Sequence, residues 1–424
     1  MIDELIKLVR AGFRSIGDHR KNNASYALED LLSAGFAIFS LKDPSLLAFR
    51  QQFPRRSENL KRIYGIAQIP EDSALREGLD GVDPAVLQKQ FKPLLDRLRQ
   101  EGVMQKRRVL GGYTVLAGDG TQHFCSGNRS CAQCLTKQHR TGLVTYHHQM
   151  LAAVWVHPGE KTVFPVALEP IVRQDGCEKN DCERNAAKRL IPQIRQALPE
   201  EQILLILDAL YANAPLIRLL KKEHISFLIG LKEGYVCMQA DRLADAGKLQ
   251  ELTWEIKGRL CAIRFANNLI LNGQNQDLTV NYLEYIEMDV QSGKTLFYST
   301  WITDIPIDQN NAQELVSVAR TRWKIENETF NTLKNQGYYL EHNYGHGKKH
   351  LATNFAILTF LAFLTDQIAQ CLDQAFQKAL QVCQTKKALW DNVRQVFNLL
   401  PALSMNAIYR FVALGRQVDY PILE

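Results

Sequence analysis

The 424 residues hold no low-complexity tract, no proline-rich linker and no uninterrupted apolar run of bilayer length. Those absences exclude a disordered chain, a fibrous repeat and a bundle of membrane spans. The longest apolar stretch, FAILTFLAFLT from Phe355 to Thr365, is too short to cross a bilayer and sits in a helical pattern, so it predicts a buried helix. The N-terminus, MIDELIKLVRAGFRSIG, has neither the apolar core nor the small-residue cleavage site of a signal peptide. The expectation is a cytoplasmic protein with no membrane partner. In that compartment the nine cysteines are reduced thiols or metal ligands, not disulfides.

What is present is an ordinary globular composition, 46% hydrophobic and 23% charged, over a length that predicts two or three domains. The net charge of +6 is mild, but it is gathered in clusters. Arg50, Arg55, Arg56, Lys61 and Arg62 form one and Arg97, Arg99, Lys106, Arg107 and Arg108 a second; Arg320, Arg322 and Lys324, then Lys348, Lys349 and His350, follow. Several separated basic patches suit a polyanion that touches many parts of the chain.

Residues 1–108 read as helices throughout, with DPSLLAFRQQF and DPAVLQKQF each opening on a cap and a first-turn proline. This is expected to be a helical N-terminal DNA-binding domain. From Tyr113 the period changes. YTVLAGDGT predicts a strand ending at Asp119-Gly120, and LVTYHHQMLAAVWVH and KTVFPVALEPI predict a hairpin about the turn PGE. A helix follows over DCERNAAKRLIPQIRQAL with Asp181 as its cap, then the wholly apolar strand ILLILDA, a helix around APLIRLLKKE and the strand SFLIGLK. Three strands, helix, strand, helix, strand is the order of the α/β, ribonuclease-H-like fold. The core would occupy 109–232, be interrupted by a β-rich insertion over 233–306, and resume over 307–365, with a helical C-terminal region over 366–424.

In that topology Asp119 and Asp208 end neighbouring strands. Two carboxylates so placed repel unless a cation lies between them, and magnesium or manganese with oxygen ligands fits. A third carboxylate would complete a two-metal site for in-line phosphoryl transfer. RTRWKIENETFNTLKNQG, residues 320–337, offers Glu326 and Glu328, which a helix points about 200° apart. Glu326 is preferred because Arg322 lies one turn before it on the same face, where a guanidinium can hold a phosphate.

The stretches AGDGT, LLILDALYAN and RWKIENETFNTLK resemble the three acidic motifs of bacterial insertion-sequence DDE transposases, the cut-and-paste group with a β insertion before the glutamate helix. In that group's last motif Arg322 and Glu326 keep their places, Ala319 stands at the tyrosine position, and Lys334 comes one residue late. The resemblance implies catalytic Asp119, Asp208 and Glu326, cleavage at transposon ends, and attack of the freed 3′-hydroxyl on target DNA. It further implies inverted-repeat and target DNA as partners, a homodimer on DNA, and a bacterial protein associated with the nucleoid when acting. Lys334, Lys348 and Lys349 would contact DNA, and Trp301 in FYSTWITDI would stack on a flipped base, although a strand tryptophan is more commonly core. A domesticated DNA-binding protein without catalysis and a host nuclease of the same fold are the alternatives.

HFCSGNRSCAQCLTKQHRTG carries a second candidate centre, a zinc knuckle over 123–140. Cys131 and Cys134 have the two-residue ligand spacing, with Cys125 before them and His139 after. Cys177 and Cys182, or His147 or His148, are further candidates. The histidines of HNYGHGKKH, residues 342–350, read instead as part of a DNA-contacting turn.

Overall fold

The computed structural model describes residues 1–20, 24–173 and 182–414. Its strands are β1 (Thr114–Ser126), β2 (Leu135–Gln138), β3 (Val144–His157), β4 (Glu160–Ile171), β5 (Ile203–Leu207), β6 (Ile225–Leu231), β7 (Gln250–Ile256), β8 (Arg259–Asn272), β9 (Asn275–Asp289) and β10 (Thr295–Thr303). Every residue of β5 is buried, which only a central strand covered on both faces permits. β5 lies parallel to β1 on one side and to β6 on the other. β3 runs antiparallel to β1, and β4 antiparallel to β3. The core order β4-β3-β1-β5-β6 is the ribonuclease-H-like meander extended by parallel strands.

Two features depart from the sequence reading. β1 does not end at Asp119; it runs on to Ser126, paired with β3 through Ser126↔Tyr146. The insertion opens with a helix, Tyr235–Asp245, and its four strands do not form a sheet apart. β10 pairs antiparallel with β6, so β10-β9-β8-β7 prolong the core sheet at its far edge.

Helices cover the sheet. Glu183–Ala197 packs on β3 and β4, and Ala214–Lys222 on β6. The first of these is preceded at its N-terminus by Cys182, which makes no side-chain cap; Asp181 lies outside the described residues. The apolar stretch from Phe355 lies within a longer helix, Leu351–Leu372, which by length and composition alone is sufficient to cross a membrane. It is buried inside the protein, against β4 on one side and the helices Ile2–Arg14, Leu28–Ser40 and Asp72–Asp80 on the other. The helices preceding β1 and those at the C-terminal end therefore share one core.

Candidate active site

Asp119 faces Ala152 across the β1–β3 ladder. The last parallel pair between β1 and β5 is Ala117↔Ile206, and Asp119 and Asp208 each lie two residues further on, so the same register sets them level on adjacent strands. Asp208 is held by its own turn: its Oδ1 accepts from Leu210 N at 2.9 Å and starts the short 3-10 turn Ala209–Tyr211.

The third acid arrives from the other end of the chain. The helix Ala312–Ala319 tightens into a 3-10 turn at Arg320–Arg322 and then widens into a π turn over Ile325–Phe330 before Asn331–Asn335 resumes α geometry. A π turn inserts an extra residue into the ladder and re-aims the side chains around it. Glu326 lies on this turn. Arg322 Nη1 donates to Asp119 Oδ2 at 2.9 Å and Nη2 to Glu326 Oε1 at 2.8 Å, so one guanidinium spans two acids 207 residues apart in sequence (326 − 119). Of the two glutamates, Glu326 is the one that shares Arg322 with Asp119. Glu328 lines a separate cavity of about 560 Å³ together with Trp254, Tyr285, Arg320, Trp323 and Lys324.

Burial pushes the Asp119 carboxyl up to about 6, with Glu326 adding to the rise and Arg322 and the Gly120 N–H pulling against it. A carboxyl so placed favours a cation beside it. A fourth acid, which the sequence reading missed, stands in the same cluster. A Cβ on Gly120 would lie 2.6 Å from Glu183 Oε1, and Glu183 Oε2 accepts from the Tyr211 hydroxyl at 3.2 Å. Burial, then the negative charges of Glu183, Asp208 and Asp119, push that phenol far above the usual tyrosine range. The only sequence signal for Glu183 was its place in the first turn of a helix next to the sheet.

Other candidates fall elsewhere. Trp301 is 6% exposed, paired in the sheet with Gly230 and Leu283, so its indole belongs to the core and cannot stack on a base. Lys334 is bound to Glu341 at 2.8 Å. Lys348 and Lys349 are exposed. Of the basic clusters, Arg56 is buried against Asp43 and Arg107 is buried over Trp155 and Phe164. Lys324 is buried as well, donating to the carbonyls of His157, Pro158 and Glu160.

The zinc-knuckle reading requires correction. Cys125 is exposed and His139 is turned to Thr145, while Cys131 and Cys134 converge with His148 and His346. Strand alternation explains the choice within β3: His147 bonds Gln122 and Thr145 on one face, and His148 faces the cysteines on the other. Cys182 is exposed and Cys177 lies outside the described residues.

Residues 160–364 match the family model of the transposase DDE domain. The match contains Asp208 and Glu326 and begins after β3, so Asp119 takes its place through the sheet register and Arg322. No curated protein matches the chain. Among solved structures it is similar to a piggyBac transposase synaptic complex with hairpin DNA determined by cryo-EM, with a TM-score of 0.39 and 10% identity over 99% of this chain and 80% of that one.

Proposed function

We propose that the chain, whose residues 160–364 match the transposase DDE domain, acts as a DNA transposase in which Asp119, Asp208 and Glu326 hold divalent magnesium or manganese, cut the DNA at transposon ends and join the freed 3′-hydroxyl to target DNA. The observation that carries this reading is the Arg322 bridge, which shows Asp119 and Glu326 converging on one positive charge. The donors are hard carboxylate oxygens, the type that magnesium and manganese take. Bound metal would supply activation of the attacking oxygen and stabilisation of the leaving one.

The protein's own groups do the rest. The sheet register and the turn after β5 set the backbone positions from which Asp119 and Asp208 extend. Once the carboxylates are committed to metal, Arg322 is free to donate to a phosphate oxygen from the same face of the helix. Trp254, which is partly exposed in the cavity beside Lys324 and Glu328, replaces Trp301 as the insertion residue able to stack on an unpaired base. Exposed Lys348 and Lys349 meet backbone phosphate. The partners on this reading are inverted-repeat ends and target DNA, engaged by two copies of the chain on the nucleoid in the cytoplasm.

The test is end-DNA binding and strand cleavage measured side by side. Asp119→Ala and Asp208→Ala are expected to bind near wild-type levels and to cut nothing, because metal acts on the transition state more than on ground-state affinity. Cleavage at a near wild-type rate in either variant removes that residue from the site.

A further inference from the structure

We propose that Cys131, Cys134, His148 and His346 form a structural zinc centre that ties the segment following the glutamate helix to β3, which pairs with the Asp119 strand β1, and to the loop between β1 and β2. The inference is independent of the catalytic reading. The four donor atoms lie within 4.8 Å of one another. Cys131 Sγ and Cys134 Sγ are 3.7 Å apart, and the Nε2 atoms of His148 and His346 are 3.2 Å apart. The sulfur–nitrogen distances are 3.5 Å for Cys131–His148, 3.4 Å for Cys134–His148 and 3.2 Å for Cys134–His346. A tetrahedron with Zn–S of about 2.3 Å and Zn–N of about 2.0–2.1 Å has edges of about 3.8 Å between sulfurs, about 3.3 Å between nitrogens and about 3.5 Å between unlike donors. The five distances follow the edges of that tetrahedron, and the sixth, between Cys131 and His346, is within 4.8 Å.

The surroundings are those of a ligand set. The Cys131 backbone N–H donates to Cys134 Sγ at 3.4 Å, a contact that favours that sulfur as thiolate. His148 Nδ1 is buried without a hydrogen-bond partner, so a proton there leaves Nε2 as a bare lone pair aimed at the cluster. Phe124 covers both rings, its centroid 5.7 Å from His148 and 4.6 Å from His346. Two thiolates and two imidazoles in tetrahedral array select zinc, and four protein ligands leave no open position for catalysis.

The chain presents His346 deliberately. Gly345 and Gly347 on either side have φ of +153° and +70°, and a Cβ on Gly347 would sit 2.2 Å from Asp80 Oδ1. Asp80 in turn accepts from the backbone N–H groups of Lys348, Lys349, His350 and Leu351, which starts the helix Leu351–Leu372. His346 and the four residues from Lys348 to Leu351 are thus held side by side, at the cluster and at Asp80. Loss of metal removes the first of these two ties.

Elemental analysis of the full chain purified without chelator is expected to find about one zinc per chain, absent from His346→Asn and His148→Asn and retained in Cys125→Ser and His139→Asn. Because a ligand variant can fail to fold, the wild-type protein is also stripped and titrated with cobalt. Intense visible d–d bands with a thiolate charge-transfer band in the near ultraviolet are expected, saturating at one equivalent. Protein that carries no zinc and yields no tetrahedral cobalt spectrum overturns the centre. Full zinc in His346→Asn, or its loss in Cys125→Ser or His139→Asn, overturns this ligand set.

Discussion

The chemistry at the centre of this protein turns on one arginine. Arg322 neutralises two carboxylates that the fold forces together, and its removal and theirs have different consequences. Glu326→Gln keeps size and helix propensity but withdraws the charge of the proposed metal ligand, so cleavage is expected to vanish at every magnesium concentration while end DNA stays bound; Glu328→Gln, at the cavity lined by Lys324, is expected to cut normally. The reverse pattern would place the helix in the wrong register. Arg322→Ala is expected to cut slowly and to lower the salt slope of end-DNA affinity by about one, the signature of one lost phosphate contact. Asp119 adds a pH dependence. Its folded value of about 6 lies above the usual carboxyl value of 3.8, so the group favours folding most at low pH and that contribution is lost as pH rises through about 6. Metal-free Asp119→Asn is therefore expected to melt a few degrees above wild type at pH 7.5. Magnesium is expected to raise the wild-type melting temperature and leave the variant unmoved. A metal-free variant that melts at or below wild type would show that ionised Asp119 carries no strain in the fold.

At the scale of the element, the strands were the most legible part of the sequence. Alternation or continuous apolar runs, bounded by the PGE turn or by Asp208, located β3, β4, β5 and β6 to within a residue or two at most ends. The π turn over Ile325–Phe330 was not legible, because a widened turn is made by tertiary contacts and leaves no period of its own. The same limit hid His346, separated from Cys134 by 212 residues and brought to it only by the fold. Lys324 shows the limit most plainly. In sequence it belongs to a basic cluster, but in the structure it closes the β3–β4 hairpin by donating to the carbonyls of His157, Pro158 and Glu160. Lys324→Met keeps the apolar stem and removes the donor shared by three part-buried carbonyls, which solvent can reach in part, at a total cost on the order of 1–3 kcal/mol. The expected result is a lowered melting temperature with unchanged salt dependence of DNA binding; a lowered salt slope without destabilisation would return Lys324 to the DNA-binding surface.

Across the whole molecule, the helices at the two ends of the chain are joined by buried charge. Lys42, 1% exposed and just after the helix Leu28–Ser40, pairs with Asp366 in the central helix Leu351–Leu372. Its ammonium also donates to Ser40 O at 2.7 Å and lies 3.7 Å from the Trp390 ring centroid, on the helix Lys386–Leu399. Tyr338 donates its hydroxyl to the same Asp366 at 2.6 Å, which brings in the segment after the glutamate helix. Four parts of the chain thus meet at one ion pair, and a fragment ending at residue 108 would expose the apolar faces that pack on Leu351–Leu372. A buried pair is weak evidence for net stability, because desolvation of both charges offsets most of their attraction, but removing one partner strands the other. Asp366→Ala leaves a buried ammonium and is expected to destabilise the protein by about 3–5 kcal/mol, whereas Lys42→Met with Asp366→Leu is expected to recover most of the loss. Guanidinium unfolding followed by circular dichroism and by the fluorescence of Trp390, the other four tryptophans replaced by phenylalanine in every protein compared, reads both quantities. The two probes are expected to report one shared transition when Lys42 and Asp366 are both present, since Trp390 sits at the junction while the helical signal comes from both ends of the chain. A separate early transition confined to the fluorescence would mean that the ends unfold apart and that the Lys42–Asp366 pair does not couple them.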